Sequence, residues 1–155
     1  MTSRMLVSLR VAAPPARAFD VFVHEIAKWW RPNGLFRFTP RSPGRLAFEP
    51  RLGGRLTETL ADGKVFEIGR ITAWEPGARL AFTWRQAGVA PDQATEVEVR
   101  FEPVDAETRV MVEHRGWDRV PQQHPVRHGF PDAVFLQRHG EWWQVLLRLF
   151  RACVG

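Results

Sequence analysis

EPRLGGRLTETLADGKVFEIGRITAWEPGARLAFTW, residues Glu49 to Trp84, is the stretch that decides the fold. It contains a Gly-Gly pair at Gly53-Gly54, an Asp-Gly turn at Asp62-Gly63 and a Glu-Pro-Gly turn at Glu75-Pro76-Gly77. The runs between these turns are rich in β-branched and aromatic residues, which suit a pleated, half-buried surface. Short turns between such runs predict antiparallel neighbours. Gly53-Gly54 lies between two strands, where glycine permits a bulge or a sharp bend.

Working outward, the same pattern continues on both sides. Strands are expected near Arg45–Pro50, Gly54–Leu60, Val65–Trp74, Arg79–Arg85, Thr95–Pro103 and Arg109–Trp117. Upstream, Met5, Val7, Leu9 and Val11 alternate with Arg4, Ser8 and Arg10, with Leu6 breaking the polar side, and predict a first strand over Arg4 to Ala12. Pro14-Pro15 stops that strand, and Pro15 suits a helix first turn. Ala18, Phe19, Phe22 and Val23 then share one helical face, and a second short helix is expected over His24 to Trp30. Arg31 to Gly44 carries prolines and glycines around Leu35, Phe36 and Phe38 and reads as a loop or lid. At the other end, Trp142, Trp143, Leu146, Leu149, Phe150 and Cys153 recur at spacings of three and four. That spacing predicts a helix over Glu141 to Cys153, with Gly140 starting or kinking it.

The 155 residues suit a single domain, 1–155, with a sizeable core. Seven Trp and eleven Phe with no Tyr supply large apolar faces with few hydroxyl groups. No apolar run approaches the roughly 20 residues of a membrane span, and the single cysteine, Cys153, excludes an internal disulfide. A cytoplasmic protein is expected. The net charge of +5 raises nucleic-acid binding. The arginines are scattered, however, and lysine occurs only at Lys28 and Lys64, so no basic stripe forms.

The order strand, helix, helix, six strands, long helix is α+β and corresponds to a helix-grip fold: a curved antiparallel sheet of about seven strands wrapped around a C-terminal helix. The motifs narrow this. Ala13-Pro14-Pro15, Ala18-Phe19, Phe22 and Trp29-Trp30 resemble the opening of the activator of heat-shock protein 90 ATPase homologue-like family, within the START and pollen-allergen-like (SRPBCC) superfamily. Glu49-Pro50-Arg51, Gly53-Gly54-Arg55, Asp62-Gly63, Gly69-Arg70, Ala73-Trp74-Glu75-Pro76 and Phe82-Thr83-Trp84 continue the resemblance. Glu96 to Phe101, Thr108-Arg109-Val110 and Glu113-His114-Arg115-Gly116 complete it, so that it covers nearly the whole chain. Two departures stand out. Gly77 replaces a frequent second proline, and Val65 to Ile68 lacks the Trp that many members carry before Gly69-Arg70.

The resemblance implies a cavity between sheet and helix, used across the superfamily for lipids, aromatic polyketides or hormones, and in a few members for cyclisation or hydrolysis. It therefore implies a hydrophobic or aromatic small molecule as ligand, bound without demonstrable catalysis. The family name adds a chaperone as an alternative partner. A cyclase- or hydrolase-type enzyme using His114 is a further alternative. Monomer and homodimer are both compatible with the chain.

Strand parity selects the residues to examine. Val110, Val112 and His114 share one face, as do Leu80, Phe82 and Trp84, and Val97, Val99 and Phe101. If the valines face the helix, so does His114, where it could meet a ligand, exchange protons or simply bond to backbone. The candidate cavity lining is Trp30, Phe36, Phe82, Trp84, Val99, Val112, His114, Trp143 and Leu146. Plain core packing accounts equally for most of these. His124 and His128 have helix-chelating spacing, but Pro125 stands between them, so no metal, cofactor or catalytic residue is assigned. The charged set Glu49, Arg51, Arg55, Glu58, Glu67 and Arg70 reads as solvated pairs on the convex face or, alternatively, as Glu67 or Arg70 turned inward.

Overall fold

The structure, a computed structural model, describes residues 4–31, 38, 44–86, 89–121 and 123–154. The elements are β1 (Arg4–Val11), α1 (Pro15–His24), α2 (Ile26–Trp29), β2 (Arg45–Phe48), β3 (Arg55–Thr59), β4 (Val65–Glu75), β5 (Arg79–Trp84), β6 (Thr95–Val104), β7 (Glu107–Arg115) and α3 (Asp132–Val154). Seven antiparallel strands form one curled sheet in the order β1-β7-β6-β5-β4-β3-β2, and α3 lies along its inner side. This is the expected helix-grip architecture. No helix among the described residues is long and apolar enough to cross a membrane.

The meander turns behave as their residues dictate. Gly63 and Gly77 both take positive φ, at 86° and 77°, which other residues rarely adopt. Curvature comes from register shifts between Leu56 and Thr57 on β3 and between Ile71 and Ala73 on β4. A β-carbon at Gly69 would overlap the backbone carbonyl of Thr83, so β4 can approach β5 this closely only with glycine there.

α1 begins at Pro15, whose missing N–H costs nothing in a first turn. It buries Phe19 against Trp74 and Phe101, with ring centroids 5.2 and 5.3 Å apart, and Phe22 against Phe150 of α3 at 5.5 Å. Thr108 of β7 donates from Oγ1 to the Ala13 carbonyl at 2.7 Å, fixing the β1–α1 connection to the sheet.

Two of the boundaries that differ from expectation bear on the site. α3 starts at Asp132 and runs through Gly140 without a break. Gly140 lies where a β-carbon would stand 3.9 Å from Met5 and Val7, so its place is an ordinary contact with β1 rather than a helix end. β7 ends at Arg115, because Gly116 takes a φ of 90° and turns the chain into a single 3-10 turn at Trp117–Arg119. Arg127, buried, donates to the Trp117 and Val120 carbonyls and lies over the Phe135 ring at 5.1 Å, holding this segment against α3.

The convex face carries the charges. Glu98 sits among Arg79, Arg100 and Arg115 at 2.6, 2.8 and 2.8 Å. Burial would raise its pKa, but hydrogen bonds from Arg79 and Arg115 outweigh this and hold the carboxyl below its usual range. Arg70 and Glu67 pair at 3.2 Å on the exposed side, so neither turns inward. Glu58 departs from this set. It is buried opposite Leu46 and accepts from the Gly44 N–H at 3.0 Å.

Candidate functional site

Three strands and one helix bring the site together. On β7, Val110, Val112 and His114 all face inward and are fully buried, as the period of two requires. Register places Val112 opposite Val99 and His114 opposite Val97 on β6, and places His114 opposite Met5 on β1. β5 delivers Leu80, Phe82 and Trp84 to the same side. α3 answers with Phe135, His139, Trp142, Trp143, Leu146, Leu147 and Phe150, its buried stripe.

At the centre of this packing lies a polar group. The Nδ1 of His114 is 2.8 Å from the Nε2 of His139 and 3.3 Å from the Nε1 of Trp143. An indole N–H can only donate, so His114 Nδ1 is an acceptor and its proton sits on Nε2. His114 Nε2 then donates to Thr95 Oγ1 at 2.7 Å, and that hydroxyl donates to the Trp84 carbonyl at 3.2 Å. His139 consequently donates from Nε2 to His114. The result is a directional chain from α3 through β7 to β6 and β5.

Aromatic rings enclose the pair. Trp84 and Trp117 lie 5.1 and 4.9 Å from the His114 ring, and Trp117, Phe135 and Trp142 lie 5.0, 5.8 and 5.4 Å from His139. Trp30 closes a further side, 5.2 Å from Trp84 and 5.4 Å from Trp143. Trp142 donates to the Arg31 carbonyl at 3.0 Å, whereas the indole N–H groups of Trp29, Trp30, Trp84 and Trp117 are buried without a hydrogen-bond partner. Beside Trp84, Thr95 and Trp117, where β5 ends and β6 begins, lies a shallow crevice with no enclosed space for even a water molecule.

Burial keeps both imidazoles neutral. Desolvation pushes the conjugate acid of His114 well below its ordinary value, and the neighbouring His139 adds to the effect. Desolvation alone lowers His139 to about 3. The neutral pair is therefore a hydrogen-bonding unit at physiological pH, with a conjugate acid too unstable for easy proton uptake. Among the described residues, no three His, Cys, Asp or Glu side chains converge as a metal site requires. His124 instead accepts the Val126 N–H on Nδ1 and caps a short 3-10 turn.

Of the residues selected from sequence, Trp30, Trp84, His114 and Trp143 come together through the ring contacts above. Phe82, Val99, Val112 and Leu146 are buried, and Phe82 meets Phe48 with centroids 5.2 Å apart. Phe36 lies outside the described residues. Sequence reading missed His139, Thr95 and Trp117. His139 had a signal: Phe135, His139, Trp142, Leu146 and Phe150 continue one three-and-four spacing, which the expected helix start at Glu141 cut short.

The family model for Activator of Hsp90 ATPase homolog 1-like protein matches residues 12–153. Among solved structures, the chain is similar to protein MLL2253 from Mesorhizobium loti (17% identity over 96% of this chain and 94% of that one, TM-score 0.65). It is equally similar to CV1439 from Chromobacterium violaceum (19% identity over 98% and 96%, TM-score 0.65). It is also similar to an anthrahydroquino-γ-pyrone synthase, Txn09, complexed with SUM (32% identity over 94% and 96%, TM-score 0.59). The first two likenesses speak to the fold alone. No curated protein matches the chain.

Proposed function

The chain belongs to the Activator of Hsp90 ATPase homolog 1-like family, and from that premise we propose that it binds a hydrophobic, aromatic small molecule between the sheet and α3. The observation that carries this reading is the neutral His114–His139 pair inside a ring of Trp30, Trp84, Trp117 and Trp143. A core built for stability alone gains nothing from two desolvated imidazoles, since apolar residues of equal volume would fill the space without that cost. Departures from the rules of core packing concentrate where a protein functions. In this reading Trp30, Trp84, His114 and Trp143 contact the ligand, and Phe82, Val99, Val112 and Leu146 support them.

A second reading is favoured by one finding: the 32% identity to a synthase over 94% of this chain. There the same pocket would catalyse a cyclisation, with His114 acting on the substrate. The depressed conjugate acid of His114 argues against its taking a proton from the substrate, and its one N–H is already given to Thr95. Binding is common to both readings and is the conclusion here.

Native mass spectrometry of freshly purified protein tests it. A bound species of constant small mass is expected, released on denaturation and absent from a Trp84→Ala variant that remains folded. Protein free of any such species, which also fails to take up polycyclic aromatic compounds when they are added, would count decisively against binding.

A further inference from the structure

Trp30, Trp84, Trp117 and Trp143 form an aromatic box around His114 and His139. The box is closed: even the crevice beside Trp84 and Trp117 has no enclosed space for a water molecule. A ligand therefore enters only if a wall moves, and the walls differ in what holds them.

Trp84 stands on β5 and His114 on β7, strands paired on both sides within the sheet. Trp143 belongs to the 23-residue α3, buried along its inner stripe. Trp117 is tied down by Arg127, which donates to its carbonyl and to that of Val120. Arg119 of the same turn donates to the Ala94 carbonyl at 3.1 Å. Trp30 is held by less. It follows the four-residue α2 in extended backbone, with φ −76° and ψ 132°, and its N–H reaches back to the Ile26 carbonyl at 3.0 Å. Its indole N–H has no partner, so moving the ring breaks no hydrogen bond. Among the described residues, one hydrogen bond joins Trp30 and Arg31 to α3: Trp142 donates from Nε1 to the Arg31 carbonyl at 3.0 Å. The Arg31 guanidinium donates to the Trp30 carbonyl at 2.7 Å and stiffens the same dipeptide. The residue before them is anchored. Trp29 is fully buried and packs on Phe22 and Phe150, with centroids 4.8 and 5.4 Å apart.

We infer that Trp30 and Arg31 are the wall that opens. They swing away from α3 about the end of α2 when the Trp142–Arg31 hydrogen bond breaks, while Trp29 stays in the core. The open form admits and releases the ligand, and Trp142 sets how often it is visited. This rests on the small-molecule reading above and adds to it the route of entry and the residue that controls it.

Hydrogen–deuterium exchange of the indole protons, followed by NMR, tests the inference without a ligand. In the wild type the Trp30 indole proton should exchange about tenfold faster than that of Trp29 or more, because the first needs a local opening and the second needs the core to open. Losing one hydrogen bond shifts an opening equilibrium about tenfold. Trp142→Phe, which keeps a ring and removes the donor, should therefore raise the ratio of Trp30 to Trp29 exchange about tenfold. Arg31→Ala, at an exposed position, should move the ratio in the same direction. Equal rates at Trp29 and Trp30 in the wild type, or a ratio that neither variant moves, would overturn the inference. Should Trp142→Phe fail to fold, the wild-type rates and Arg31→Ala still decide. Stopped-flow binding of anthraquinone-2-sulfonate separates the opening from the reading it rests on, and its association should quicken about tenfold in Trp142→Phe. If the probe binds at an unchanged rate, the small-molecule reading stands and the inference falls. If the exchange ratio rises as described but the probe does not bind, the wall opens and it is the small-molecule reading that falls.

Discussion

Acidification from pH 7 to pH 5 is expected to remove about 2 kcal/mol of stability or more. His139 titrates at about 3 in the folded protein, and His114 well below its ordinary 6.5. Both regain ordinary values on unfolding. Below pH 6.5 the unfolded chain therefore binds protons that the folded chain refuses, and stability falls as the pH falls. Between pH 6.5 and 5 His139 contributes a loss of about 2 kcal/mol, and His114 adds to it in the same direction. That is a large fraction of the roughly 5–15 kcal/mol that holds a domain together. The loss continues toward pH 3, where His139 itself takes up a proton. Glu49, held down to about 2 chiefly by its hydrogen bonds with Arg55, acts in the same direction, but only where carboxylates titrate, below about pH 4.5. The window from 6.5 to 5 thus isolates the histidines. Urea unfolding at pH 7.5, 6 and 5 should show a steadily falling midpoint, and His139→Leu should show a shallower fall. A midpoint constant across this range would mean that the pair is not buried as described.

Replacing Trp143 by alanine is expected to cost about 3–5 kcal/mol. The side chain is fully buried, and its ring meets Trp30, Trp84, Trp142 and His114 at 5.4, 5.9, 6.1 and 6.4 Å. Alanine would leave a void bordered by all four rings. It would also remove one of the two donors to His114 Nδ1. Trp143→Phe separates the two effects. It keeps most of the packing and drops the N–H, so it should cost about 1–2 kcal/mol. Thermal and urea unfolding of both variants provide the check. A cost below about 1 kcal/mol for Trp143→Ala would show that the box is not consolidated.

Local chemistry explains how much of this could be read from sequence. The turns at Asp62-Gly63 and Glu75-Pro76-Gly77 announce themselves by residue type, and once they are placed, alternation assigns Phe82, Trp84, Val112 and His114 to the inner face. α3 was harder. Gly140 has the look of a helix boundary, yet it packs beside Met5 and Val7, and the helix begins eight residues earlier at Asp132. That misreading hid His139. The pairing itself leaves no local trace, because His114 and His139 are brought together by how α3 crosses the sheet. The same is true of Thr95, which reads as an ordinary strand residue until His114 is seen 2.7 Å away. Long-range geometry of this kind depends on the packing of whole elements, which periodicity does not encode.

The central claim is that a ligand sits in the box around His114, and the seven tryptophan indoles report on it directly. A ¹H–¹⁵N spectrum of the indole groups during titration with anthraquinone-2-sulfonate is the decisive measurement. The resonances of Trp30, Trp84 and Trp143 should move together and saturate, while Trp74, which packs against Phe19 of α1, should stay in place. Movement of Trp74 alone, or seven unmoved indoles at saturating ligand, would contradict the account.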